Sequence, residues 1–290
     1  MLNTTQNKPG SADSADFKTD SQSRPAQTPL EWQVWWALAP IQKAQAVGEL
    51  LGIAEPLAPK PWPQNLPRDC QVMSTKKLGA KPGLQSAEGQ ARLLHDLGNI
   101  ELQAMELAIR TLAEYPDAPQ EFRDELRAVA IEESQHFLLC TDRLAALGFQ
   151  WGFRPVHQAL WEAVGEQSLL ERVMLVHRHM EATGLDAGSS ILNRLTGLRQ
   201  PPAREVVERI VRDELGHVEF GSRWFRRIAI AEGRDPDACF AELFPSMLRR
   251  VPRTEKPKLE LRAKAGFNAF ELKVIDEVWS ATNFKVPREA

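Results

Sequence analysis

The sequence predicts an all-α protein whose centre is a four-helix bundle, two helical hairpins joined by a long crossover, with N-terminal and C-terminal extensions. Three observations predict it. Apolar residues recur every three or four positions along four long stretches between residues 86 and 235. Pro and Gly leave short links inside each pair of stretches, whereas residues 149–167 separate the pairs. Each pair also repeats one pattern, a lone Glu followed 32 or 33 residues later by Glu-x-x-His: Glu101 with Glu133 and His136, then Glu181 with Glu214 and His217.

The elements follow in order. Residues 1–29 are rich in Ser, Thr, Gln, Asp and Lys, with Phe17 the only aromatic. They cannot bury enough surface to offset their ordering entropy and are expected to form a disordered tail. Residues 30–85 begin with Trp32, Trp35 and Trp36, which predict one or two short helices interrupted near Pro40. Pro56, Pro59, Pro61, Pro63, Pro67 and Pro82 then stiffen an extended strap laid over something larger. The bundle occupies 86–235. Its first helix opens at Ser86, a good N-cap, and runs to about Tyr115, where Pro116 and Pro119 stop it. The second runs from Pro119 or Gln120 to Gly148, a good C′ residue, and the crossover that follows carries Trp151, Pro155 and Trp161. The third covers roughly 168–196, and the fourth starts at Pro201 and Pro202 and ends at Gly233. Residues 236–290 form a C-terminal helical extension. A basic stretch, Arg249 to Lys258, precedes two short helices near 259–264 and 268–281 and reads as a solvated linker.

The apolar seams locate the chemistry. On the first helix the inward series is Leu94, Leu97, Glu101, Ala104 or Met105, Ala108, Leu112; on the second it is Leu126, Val129, Glu133, His136, Cys140, Leu144. The third and fourth run Met174, His177, Glu181, Leu185 and Ile210, Glu214, His217, Gly221. In every seam a Glu stands where Leu or Val is expected. A buried carboxylate without a partner is very costly, and four at one level repel one another. Cations at the centre remove both penalties.

A single Glu-x-x-His is weak, because ion-paired surface helices produce it often. Its duplication, at matched distance from a seam Glu, points to Glu101, Glu133, His136, Glu181, Glu214 and His217 as metal ligands. Residues i and i+3 face neighbouring directions, so each Glu-x-x-His can address one ion. Oxygen-rich donors with one imidazole per ion suit iron or manganese, and the thiolates of structural zinc are missing from the pattern. Glu132 and Asp213, each four residues before a ligand His, are placed to accept the other imidazole N–H of the His on the opposite helix, or else face solvent. His177, four residues before Glu181, is either a core histidine bonded to a carbonyl or a proton donor near the metals.

Bulk properties narrow the classes. A net charge of −3 gives no global basic field for nucleic acid or anionic membrane. The three cysteines, Cys70, Cys140 and Cys239, are widely separated and suggest neither a disulfide framework nor a Cys-x-x-Cys site. No apolar run reaches membrane-spanning length and the N-terminus does not read as a secretory signal, so a cytoplasmic location is expected. Tyr115 is the only tyrosine, about 21 Å along the helix from Glu101, too far for a tyrosyl radical beside the metals. With no iron–sulfur cysteine set and no Gly-rich dinucleotide loop, an external electron donor is implied.

Residues 86–245 resemble the ferritin-like superfamily. Ile100-Glu101-Leu102, Glu132-Glu133-Ser134-Gln135-His136-Phe137, Glu181-Ala182-Thr183-Gly184-Leu185-Asp186, Arg212-Asp213-Glu214-Leu215-Gly216-His217-Val218 and Lys264-Ala265-Gly266-Phe267 are more narrowly similar to an uncharacterised bacterial ferritin-like domain family of unknown function. The likeness covers about two-thirds of the chain. It implies a ferritin-like bundle and a dinuclear site, and no substrate. A more distant similarity is to the bacterial diiron hydroxylase that acts on a modified tRNA adenosine. The expected function is therefore that of a diiron or iron–manganese carboxylate protein, with two manganese ions as a further pairing. It would be an oxidase or oxygenase that activates dioxygen, acting on a small molecule or a modified nucleoside. A ferroxidase or iron-handling protein, and a non-enzymatic scaffold with a structural metal, are the alternatives. A homodimer is compatible with the pattern.

Overall fold

Residues 32–59, 61–199, 201–251 and 256–281 are described by the structure, a computed structural model. The expected tail at 1–29 lies outside them, as do residues 252–255 of the basic stretch. Among the described residues the chain is helical, and the β contact is one isolated bridge between Val72 and Val156.

Two short helices come first, α1 (Trp32–Ala37) and α2 (Pro40–Ile53). Pro40 opens α2 at its first turn, where a missing N–H costs nothing, so it divides the two helices. The strap that follows is irregular apart from a 3₁₀ turn at Thr75–Lys77. It is sewn to the crossover: Leu66 and the Gln158 amide exchange two hydrogen bonds, Met73 N donates to Val156 O, and Val156 N to Gln71 O.

The long helices are α3 (Ala87–Glu114), α4 (Gln120–Ala146) and α8 (Arg204–Ala231), together with a third run assembled from α6 (Leu169–Arg172), a π-helical stretch (Val173–Met180) and α7 (Glu181–Thr196). Ser86 caps α3 by accepting from Gly89 N, and Gly148 adopts φ 82° just past α4, the left-handed backbone a C′ glycine supplies. A five-residue helix, α5 (Ala159–Ala163), interrupts the crossover. α3 packs along α4, the π stretch and α7 pack along α8, and α4 faces α8 across the centre. Leu102, Met105, Ile109 and Leu112 of α3, and Phe122, Leu126 and Phe137 of α4, are fully buried there. Each such side chain contributes about 1.5–3 kcal/mol.

Two features depart from the sequence expectation. The third run is not regular α-helix, because apolar spacing does not distinguish i→i+4 from i→i+5 closure. Gly221 of α8 lies against the π stretch so closely that a Cβ there would sit 1.6 Å from His177 O, so glycine is required for the approach. The second departure is α9 (Pro236–Arg250), a helix that contains Pro245 in its interior and packs on α8, the π stretch and α11. α10 (Leu259–Lys264) and α11 (Ala269–Ala281) complete the chain, and Glu271 of α11 pairs with Arg178 of the π stretch at 2.6 Å.

Candidate metal centre

The four seam carboxylates and two imidazoles meet. Glu101 from α3, Glu133 and His136 from α4, Glu181 from the first turn of α7, and Glu214 and His217 from α8 are all buried. Ligand atoms of Glu101, Glu133, His136 and Glu214 lie within 4.8 Å of one another, and so do those of Glu133, Glu181, Glu214 and His217. Glu133 and Glu214 belong to both groups. Each group thus combines three carboxylates with one imidazole, and the two share the glutamates of the Glu-x-x-His segments.

The pattern of hydrogen bonding shows what these atoms require. Among the described residues seven carboxylates are buried: Glu101, Glu106, Glu133, Glu181, Asp186, Glu214 and Glu271. Glu106, Asp186 and Glu271 each meet Lys or Arg. The other four form the two groups, and no Lys or Arg of the described residues pairs with them. Both oxygens of Glu133, Oε2 of Glu214, and the Nδ1 atoms of His136 and His217 are buried without an aligned hydrogen-bond partner. Those atoms are nevertheless close: His217 Nδ1 is 2.8 Å from Glu133 Oε1, and His136 Nδ1 is 3.3 Å from Glu101 Oε2 and 3.6 Å from Glu133 Oε2. Proximity without alignment is the geometry of atoms directed at common points between them. Unmet buried polar atoms cost about 1–3 kcal/mol each, which a bound cation would remove. The residues of each group could hold a metal ion.

The outward nitrogens are oriented. His217 Nε2 lies 2.8 Å from Glu132 Oε2 and His136 Nε2 lies 3.2 Å from Asp213 Oδ2, so each acid serves the imidazole of the opposite helix. With Nε2–H donating outward, each Nδ1 faces inward, where a cation that displaces its proton would find a lone pair. Asp213 is itself held by Arg209 and by Arg212 at 3.2 Å, while Glu132 remains 47% exposed.

Without a cation the site balances its charge with protons. Burial, and next the Glu133 charge, push the Glu101 carboxyl well above the usual carboxylate range; burial and Glu214 do the same to Glu181. Burial opposes charge on His136, yet the facing Glu101 and Glu133 raise it to about 11.

His177 does not join either group. Its Nε2 lies 3.1 Å from Thr111 Oγ1, whose own proton is given to Leu107 O at 2.8 Å, so the imidazole is the donor and neutral. Burial lowers its pKa to about 3. His95 is also away from the groups, stacked on Trp151 with centroids 4.8 Å apart and accepting from Gly152 N. The tryptophans of the first extension pack on one another and on Trp161. Tyr115 donates to Gln167 O at 2.6 Å.

Sequence reasoning missed the space beside the carboxylates. A cavity of about 390 Å³ touches Glu101, Glu181 and Glu214. Its signal was the run of small residues Gly184, Ala187 and Gly188 on one face of α7.

The sequence profile of the family described as "Protein of unknown function (DUF455)" matches residues 31–273. The chain belongs to that family. The DUF455 match takes in all six residues of the two groups and both acids behind them. A protein of Haemophilus influenzae, described as an uncharacterized protein, is 34% identical over 208 residues, which is 68% of this chain and 72% of the relative. No solved structure matches the chain. Among the described residues no helix is long and apolar enough to cross a membrane.

Proposed function

We propose that this DUF455 chain is a ferritin-like carboxylate protein that holds two metal ions, iron–iron or iron–manganese, and uses them to oxidise an organic substrate. The observation that carries the reading is the set of four buried carboxylates that meet no Lys or Arg of the described residues, gathered around two inward-facing imidazole Nδ1 atoms. Glu101 with His136 would hold one ion and Glu181 with His217 the other, with Glu133 and Glu214 between them. When bound, such a pair supplies dioxygen activation and electron transfer that no side chain of this set can provide. The chain's own part is to position and to exclude water. Glu132 and Asp213 orient the imidazoles, and the apolar seams above and below keep solvent from the ions. The packing of α3 on α4 and of α7 on α8, with a long crossover between the pairs, supports a ferritin-like arrangement in which residues 86–235 form the working unit and the two extensions cover it. A cavity that opens onto three of the carboxylates favours an enzyme over a scaffold, since a structural ion needs no such space.

The test is anaerobic addition of ferrous iron to metal-free protein, followed by exposure to dioxygen. The expected result is uptake of two ions per chain and an absorbance change on exposure, both lost in Glu133→Ala. Two tightly held ions inert to dioxygen would end the redox reading, and failure to retain metal would end the whole of it.

A further inference from the structure

The cavity beside the carboxylates has a shape and a polarity. Its lining follows α3 from Arg92 through Asp96, Ile100 and Glu101 to Leu107, about 22 Å of helix. A volume of about 390 Å³ drawn out over that length is a slot rather than a chamber. The facing wall is α7, where Gly184 and Ala187 leave room, and Val207 and Ile210 of α8 close the back. Between Glu101 and Leu107 the lining of α3 is apolar for about a further 9 Å beyond the level of the carboxylates.

The other end is different. There the strap supplies Thr75, Gly79 and Lys81, all exposed, which mark an opening. Arg92, nearly fully buried, donates to Asp96 at 2.7 Å and to Leu78 O, so it ties the strap to α3 and uses up most of the Asp96 charge. Lys81, with 71% of its side chain exposed, approaches Asp96 only to 3.6 Å. Among the described residues, two cations and one carboxylate line this end of the slot and leave it positive. Lys76 and Lys77 stand exposed on the same strap, and no acidic residue occurs between Asp69 and Glu88. The level of Asp96 is about 7.5 Å along α3 from that of Glu101.

We propose that this slot binds an amphipathic substrate, an extended apolar chain with one anionic head, a carboxylate or a phosphate. The inference rests on the metal reading above and supplies its substrate class. The head lies at Lys81 on the rim. The chain runs inward past Glu101, Glu181 and Glu214 and ends against Leu107 and Val176. The carboxylates therefore face the interior of the chain, and its far end lies deeper than the ions.

Binding is measured by calorimetry on the full chain loaded with manganese(II), using dodecanoate, dodecyl phosphate, dodecanol and dodecyltrimethylammonium below their aggregation concentrations. Manganese uptake is recorded separately for every variant. One or both anionic probes are expected to bind one per chain, about tenfold or more tighter than dodecanol, and the cationic probe is expected not to bind. Lys81→Glu is expected to remove about tenfold of the anionic preference, and Ala104→Phe to abolish binding by filling the slot, with manganese uptake intact in both. Ala187→Leu, on the opposite wall, serves the same purpose should Ala104→Phe fail to fold. Manganese uptake without binding of any anionic probe overturns the proposal. So does binding indifferent to Lys81→Glu and to the filled slot, or preference for a short RNA hairpin over both anionic probes. Loss of manganese uptake in the unaltered chain instead overturns the metal reading, a result the separate uptake record identifies.

Discussion

Glu101 and Glu106 stand five residues apart on α3, both fully inside the protein, and their surroundings are opposite. Glu106 receives Lys43 Nζ at 2.9 Å and Arg68 at 3.0 and 2.6 Å, so the first extension and the strap bring two cations to one carboxylate. Burial alone would raise the Glu106 pKa, but Arg68 and Lys43 outweigh it and hold the group ionised. Glu101 faces three more carboxylates and an imidazole, and burial, then the Glu133 charge, push its carboxyl well above the usual carboxylate range. The chain is able to neutralise a buried acid with its own side chains, and it does so at Glu106, Asp186 and Glu271. At the centre no Lys or Arg of the described residues does so, which leaves four carboxylates and two imidazoles as groups that could hold a cation.

The comparison breaks most visibly on removal of the acid itself. Glu106→Ala leaves Lys43 buried and unpaired and is expected to cost the metal-free protein about 3–5 kcal/mol in urea unfolding. Glu181→Gln, in the same assay, is expected to fall within about 1 kcal/mol of the unaltered chain, because burial and Glu214 already disfavour charge on Glu181 and glutamine is its neutral isostere. Equal losses in the two variants would erase the distinction. Metal should act on one cluster alone. At a hundredfold excess over Kd, manganese or ferrous iron is expected to stabilise the protein by about 2.7 kcal/mol for each ion bound, a gain that Glu133→Ala abolishes. Behind the site the effects are smaller. Asp213→Asn and Glu132→Gln are expected to weaken metal affinity about 10- to 100-fold, read in chelator competition, with the unfolding midpoint of the metal-free protein unchanged.

The finest contrast is in pH. Glu106 has a lowered folded pKa, so its contribution is present above the ordinary carboxylate pKa of 4.5 and is lost as pH falls through the folded value. Glu101 and Glu181 have raised folded pKa values, so their contribution is present below 4.5 and is lost as pH rises through the folded values. Metal-free protein is therefore expected to lose stability with rising pH relative to a Glu101→Gln, Glu181→Gln double variant, and added metal to reverse the trend by displacing those protons. Parallel urea midpoints for the two proteins from acid to alkaline pH would contradict the assignment.

The sequence made the long helices legible because Leu, Val and Phe at helical spacing, closed by Pro and Gly, report local backbone directly. The six residues of the centre were legible for a related reason: an acid in an apolar seam is conspicuous without knowing what it meets. What that acid meets is a long-range matter. Nothing near Glu106 in sequence announces Lys43 or Arg68, and Glu106 stood outside the seam that singled out Glu101. The slot was hidden because a gap has no residues of its own, only small ones such as Gly184 and Ala187 along its wall. The helix through Pro245 was hidden because proline argues against a helix interior, a local preference that packing of Phe240, Phe244 and Leu248 overrides.

The wider turns at Val173–Met180 have a consequence for how the chain tolerates change. Deleting one residue upstream of Glu181 would let that backbone relax toward ordinary α closure, and the helix would persist. That tighter winding would offset most of the roughly 100° that one residue turns in an α-helix. Glu181 would then stay close to its alignment with Leu170 and Met174, so the stretch is a place where the chain can take up a change of length without turning the rod on either side.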